Sequence, residues 1–155
     1  MLAEATRAIA ARAARTTLLA RRPETLAAET GAAYQRIDWA DPGAAAALDA
    51  LPPADLLLSW LHDDAVHLAR PLEDRCRPGA RVIRVHGAAS RDPATRAARD
   101  PDPRPDLRRQ TVILGWAAGP RWLSDAEISA AAVEALVNPD KETVVAGILT
   151  GPEPA

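Results

Sequence analysis

Two apolar periods alternate along the chain. Leu2, Ala5, Ile9 and Ala13 recur at spacings of three and four, which predicts a helix with one buried face over "MLAEATRAIAARAAR" (1–15). "RTTLLA" (15–20) is short, apolar and β-branched, the pattern of a buried strand. Pro23 suits the first turn of a short helix that Gly31 ends, and "YQRID" (34–38) reads as the next strand. Asp41 is placed to cap a helix over 42–51. "ADLLLSWL" (54–61) is nearly continuously apolar, as a strand buried on both faces requires. A helix over 63–76, bent at Pro71, and a strand "ARVIRVHG" (80–87) follow. Residues 91–109 are dense in Arg, Asp and Pro without a helical stripe, which predicts a flexible, solvated loop. "QTVILGWA" (110–117) resumes the strands. Ser124 and Glu127 stand at capping-box spacing ahead of a helix over 124–137, and "TVVAGIL" (143–149) is the last strand.

Helices alternating with short apolar strands predict a single α/β domain over 1–155, a doubly wound parallel sheet of Rossmann-like type. Such a sheet opens on a strand, whereas this chain opens on a helix with no Ser, Thr, Asp or Asn ahead of it to cap the first amides. In the order 3-2-1-4-5-6, the segments at 15–20 and 54–61 flank the central first position. Left unpaired, their inner edges would bury backbone groups at about 1–3 kcal/mol each. The expectation is therefore a chain N-terminally truncated before its first helix. Met1 would be an internal methionine read as a start, with a further strand and glycine loop encoded upstream.

Composition narrows the function classes. Of 155 residues, 48% are hydrophobic and 26% charged, as in globular rather than disordered chains. A formal charge of −2 gives no electrostatic ground for a nucleic-acid partner. No apolar run has the length of a membrane span or the form of a secretory signal, so the expected address is cytoplasmic. The lone Cys76 permits no internal disulfide and fits a reducing compartment.

"LGWAAGPRWLSDAEISAAAVEAL" (114–136) and "SWLH" (59–62) resemble segments of a short-chain dehydrogenase/reductase-like group of bacterial Rossmann proteins. The similarity extends over nearly the whole chain and is weakest at 91–109. Members of that group open with an apolar strand and a "GGTGML" loop, of which Met1 and Leu2 would be the last two residues. The resemblance implies a nicotinamide dinucleotide as partner, with a small-molecule substrate of unstated identity and homo-oligomerisation left open.

Arg21 and Arg22 directly follow the strand at 15–20, where a Rossmann fold meets the adenosine ribose. An acidic residue there suits the 2′-hydroxyl of NAD, whereas Arg suits the 2′-phosphate of NADP, so NADP is expected over NAD. The bland alternative is a solvated turn. The resemblance places an Asp-hydrophobe pair beside the adenine, which falls on Asp38 and Trp39. Trp60 and His62 end the strand at 54–61, near the expected path of the nicotinamide ribose, with Trp60 read as core first. His86 ends the neighbouring strand. "HDDAVH" (62–67) makes a weak metal motif, because His62 and His67 would point to different helix faces, and no metal is expected. Arg121 is read as closing a core edge in preference to binding an anion.

The group's catalysis uses a Ser after its fifth strand and a Tyr-x-x-x-Lys pair, which supplies a proton as hydride moves. This chain has one Tyr, Tyr34, one Lys, Lys141, and Ser90 a step late. Three readings result, of which the first two are an NADP(H)-binding oxidoreductase using His62 or His86 as the acid, and a non-catalytic nucleotide-binding sensor or scaffold. A gene remnant without ligand affinity is the third.

Overall fold

The computed structural model describes residues 1–100, 102, 104–118 and 121–149. Its elements run α1 (Ala3–Ala10), β1 (Thr17–Ala20), α2 (Glu24–Thr30), β2 (Ala33–Arg36), α3 (Ala44–Ala47), β3 (Ala54–Trp60), α4 (Ala69–Asp74), β4 (Cys76–His86), α5 (Pro93–Ala97), β5 (Arg108–Leu114), α6 (Asp125–Val137) and β6 (Thr143–Ala146). Every strand pairing is parallel. The fold is the α/β, Rossmann-like architecture that the alternating periods predict.

Local chemistry sets several boundaries as expected. Gly31 ends α2 at a φ of 69°, a backbone shape that L side chains rarely adopt. Ser124 and Glu127 form a reciprocal capping box at the start of α6. Pro71 does not break its helix. The turn before it, Asp63–Leu68, is wound as a 3₁₀ helix, and Pro71 sits in the first turn of α4, where its missing amide loses no bond. Asp41 accepts from the Gly43 amide at 2.8 Å, a turn that leads into α3 rather than a direct cap. The uncapped start of α1 is resolved through tertiary structure: the Ala5 amide donates to Ser129 Oγ on α6 at 2.8 Å.

The strands fall into two sheets, β1-β2 and β3-β4-β5-β6. Apolar residues tie them into one layer. Leu19 of β1 and Leu57 of β3 pack on the same cluster of Ile37, Leu48, Leu68 and Leu72. Leu56 and Leu58 pack on the opposite face with Ile83, Val112, Leu114 and Ile128. Yet β1 and β3 share no ladder. This corrects one expectation: β3 is not buried on both faces along its length, because only Ser59 is fully buried within it. Its neighbour β4 is paired on both edges and is closed to solvent from Val82 to His86.

The second correction concerns 91–109. Asp92 caps α5 through the Thr95 amide at 2.9 Å, and β5 begins at Arg108. The charges here are not solvated by default. Arg99 pairs with Asp63 at 2.7 Å, Arg104 donates to the Glu73 carbonyl at 2.7 Å, and Arg109 meets the Glu73 carboxylate at 2.5 Å. Ion pairs stand in for the apolar stripe that the sequence lacks.

Candidate functional site

The carboxyl ends of parallel strands open toward one edge of the sheet, where loops are free to carry chemistry. A cavity of about 240 Å³ lies at the ends of β1, β2 and β3, lined by Arg21, Asp38, Trp39, Trp60, His62 and Asp64. A second, of about 480 Å³, continues from it across the ends of β3 and β4 and shares Trp60, His62 and Asp64. His86, Arg99 and Trp122 complete its wall. The two form one crevice along the rim, with Trp60 and His62 at its middle.

The residues singled out from sequence gather here, with one exception. Arg21 follows β1 directly and faces the smaller cavity, whereas Arg22 is exposed beside it and does not line the cavity. Among the described residues neither has an ion-pair partner, although Arg7, Arg36, Arg77 and Arg121 all do. Asp38 holds its own turn, accepting from the Ala40 amide at 3.2 Å, and Trp39 packs its ring on the apolar cluster beneath. Trp60 serves both purposes: it packs against the α6 core and stacks near His62, ring centroids 5.1 Å apart and 30° between planes.

His62 and His86 meet across the larger cavity as adjacent strand ends. Their environments differ sharply. His62 is exposed, whereas His86 is 5% exposed. Burial, above all, pushes the His86 pKa down to about 4; Arg84, Arg96 and Arg99 act in the same direction and Asp100 opposes them. At neutral pH the His86 ring is therefore uncharged. Its unprotonated nitrogen can accept a hydrogen bond there, and the ring holds no imidazolium proton to give.

Several groups named in the sequence lie away from the crevice. Tyr34 is exposed on β2, and Lys141 pairs with Glu134 at 2.6 Å beyond α6, so the two sit in different parts of the molecule. Ser90 is fully buried in the 3₁₀ turn Ala88–Arg91. Arg121 grips Glu127 with two contacts of 2.8 and 3.0 Å and so anchors α6. Residues 119 and 120 of that segment lie outside the described residues. Gly115 admits the backbone of Ile148 too closely for any Cβ, and this lets Trp116 bridge to Ile148 and meet Trp122 edge-on at 4.7 Å. Thus Trp122 closes the far wall of the crevice.

Sequence reading missed Arg99, Trp122 and Asp100. Arg99 and Asp100 sit in the stretch read as solvated, where no periodicity marks an inward residue. Trp122 follows Arg121 in the segment read as closing a core edge.

No family model matches the chain, and no curated protein matches it. Solved structures do. BdcA (YjgI) from E. coli is 16% identical over 94% of this chain and 90% of that one, with a TM-score of 0.60. BdcA in complex with NADPH aligns over 96% and 90% at 16% identity, with a TM-score of 0.62. A carbonyl reductase from Pseudomonas aeruginosa PAO1 in complex with NADP is 18% identical over 92% and 88%, with a TM-score of 0.57. At such identities the likeness is one of fold. Among the described residues, no helix is long and apolar enough to cross a membrane.

Proposed function

We propose that the chain is a nicotinamide-dinucleotide-binding protein of the short-chain dehydrogenase/reductase type, with NADP(H) as its preferred ligand. The observation that carries this reading is the crevice itself: Arg21, Asp38, Trp39, Trp60 and His62 converge on one cavity at the strand ends. Arg21 and Arg22, without an ion-pair partner among the described residues, suit a 2′-phosphate. Asp38 and Trp39 suit the adenosine. The larger cavity beyond Trp60 suits the nicotinamide and a small substrate. The NADPH and NADP complexes of the similar folds agree with this choice of ligand.

The described residues fit the two ends of a dinucleotide better than its middle. A pyrophosphate needs a glycine turn ahead of a helix, and the Ala5 amide at the start of α1 is already engaged by Ser129. The reading therefore requires one further parallel strand and turn, laid between the free edges of β1 and β3. When bound, the dinucleotide would supply hydride chemistry.

A second reading, binding without turnover, is favoured by a specific observation. The proton-relay pair of Tyr and Lys is not assembled, and His86 is uncharged at neutral pH.

Titration with NADPH, followed by nicotinamide fluorescence, tests the proposal. The 155-residue chain is compared with a form extended by the codons that precede Met1. Binding by the extended form, stronger than by the shorter one, is expected. Absence of binding by both overturns the dinucleotide reading.

A further inference from the structure

Asp100 turns inward from the segment after α5 and comes within 3.3 Å of Arg84 Nη2 and 3.5 Å of His86 Nε2. Arg84 is 4% exposed and faces Glu73 on its other side at 3.9 Å. Next to Asp100, Arg99 donates to Asp63 at the mouth of the larger cavity. His86 Nε2 and Asp100 Oδ1 are both buried and, among the described residues, have no hydrogen-bond partner. Two such atoms facing each other form a latent pair: a small ring rotation closes the gap and breaks no existing bond. A carboxylate in that place selects the tautomer with its proton on Nε2, because a ring lone pair there would be repelled.

We propose that Asp100 is a positioning residue for His86, holding Nε2–H toward its carboxylate so that Nδ1 is the ring's proton-accepting nitrogen and the larger cavity takes a neutral, hydroxyl-bearing ligand. The inference rests on the reading of that cavity as the ligand site. Charge favours it. Asp63 and Asp64 line the cavity, and Arg99, its one lining guanidinium, is already paired with Asp63. An anionic substrate would meet the Asp64 carboxylate and, among the described residues lining the cavity, no unpaired guanidinium. Trp60 and Trp122 offer apolar surface to the body of an alcohol. The groups acting on His86 are Arg84 beside it on β4, with Arg96, Arg99 and Asp100 from the segment that follows, and burial outweighs them.

Nitrogen-15 NMR of the imidazoles in the 155-residue chain tests the assignment. The expected spectrum has one His86 tautomer, protonated at Nε2, which persists until the pH falls toward about 4. Asp100→Leu should mix the tautomers. Asp100→Asn, whose amide oxygen still accepts, should keep the tautomer and move the titration to lower pH. An Nδ1-protonated parent overturns the proposal, as does a titration unmoved in Asp100→Asn, which answers the question even if Asp100→Leu fails to fold. Cyclohexanol should shift the Nδ1 resonance at several-fold lower concentration than cyclohexanecarboxylate, and the reverse order overturns the ligand class. NADPH titration of the same samples separates the two claims. Loss of NADPH binding with the tautomer intact defeats the dinucleotide reading alone. Mixed tautomers in the parent with NADPH bound defeat the role of Asp100 alone.

Discussion

Leu19 of β1 and Leu57 of β3 pack on one apolar cluster, yet their strands share no backbone hydrogen bond. The carbonyls of Thr16 and Ala20 accept from Ala33 and Ile37, so alternation turns the backbone groups of Thr17 and Leu19 toward the other edge. On β3, past the register shift between Ala54 and Leu56, the ladder turns Leu57 and Ser59 toward β4, so the backbone groups of Leu56 and Leu58 face the other edge. If a parallel strand enters between these edges, the amides of Leu19 and Leu58 gain partners. Hydrogen exchange should show both slowed in the N-terminally extended form relative to the 155-residue chain. Equal rates in the two would mean that no strand enters.

Arg21 and Arg22 provide a selectivity test. A charge-assisted hydrogen bond contributes about 1.5–3 kcal/mol, roughly tenfold or more in affinity. Arg21→Glu/Arg22→Glu should weaken NADPH by at least that order while leaving NADH nearly unchanged, as read by competition titration. A parallel loss of both ligands would place the guanidinium groups elsewhere.

Ser129 replaces a cap that the sequence does not provide. With Ala5 fully buried, Ser129→Ala leaves its amide without a partner, at about 1–3 kcal/mol. The urea midpoint should fall with an unchanged slope. An unchanged midpoint would show that water reaches the amide.

The start of α6 predicts an acid-sensitive step. Arg121, first, and then the Ser124 backbone and hydroxyl hold the Glu127 carboxyl down at about 2, below its ordinary 4.5. A depressed carboxyl stabilises the fold in full above 4.5, and that contribution is lost as the pH falls through about 2. Glu127→Gln should therefore lower the denaturation midpoint at pH 7, and the difference from the parent should shrink toward pH 2. A difference constant with pH would exclude the charge as its source.

Periodicity made the element order legible because each strand and helix buries an apolar stripe that the sequence spells directly. It put Arg21, Trp60 and His62 at the rim for the same reason, since each follows or ends a strand, whereas Asp38 and Trp39 were marked by the family resemblance. What stayed hidden depends on charge. Asp100 and Arg99 are held by ion pairs to Arg84 and Asp63, and Arg104 donates to the Glu73 backbone carbonyl, all remote in sequence, and no local pattern marks a charged residue as inward-facing. The interrupted ladder was legible only through the fold rule, since "ADLLLSWL" reads as a fully buried strand wherever its edge lies.

Glu73 is the test of how that hidden network is held. It is fully buried between Arg109, at 2.5 Å, and Arg84, at 3.9 Å. Burial raises its pKa, against the pull of Arg109 and Arg84, so its charge is held at a cost in solvation. Glu73→Gln relieves that cost but leaves buried Arg84 short of one carboxylate, and a guanidinium cannot shed its proton. The unpaired cation should dominate, with a loss of about 3–5 kcal/mol in denaturant unfolding. Glu73→Leu/Arg84→Leu removes both charges, while Arg109 is part-exposed and reaches solvent. The double variant should recover most of the stability, because apolar packing replaces a buried pair at little net expense. A double variant as unstable as the single one would show that Glu73 acts through its fit to Arg109 rather than by neutralising Arg84.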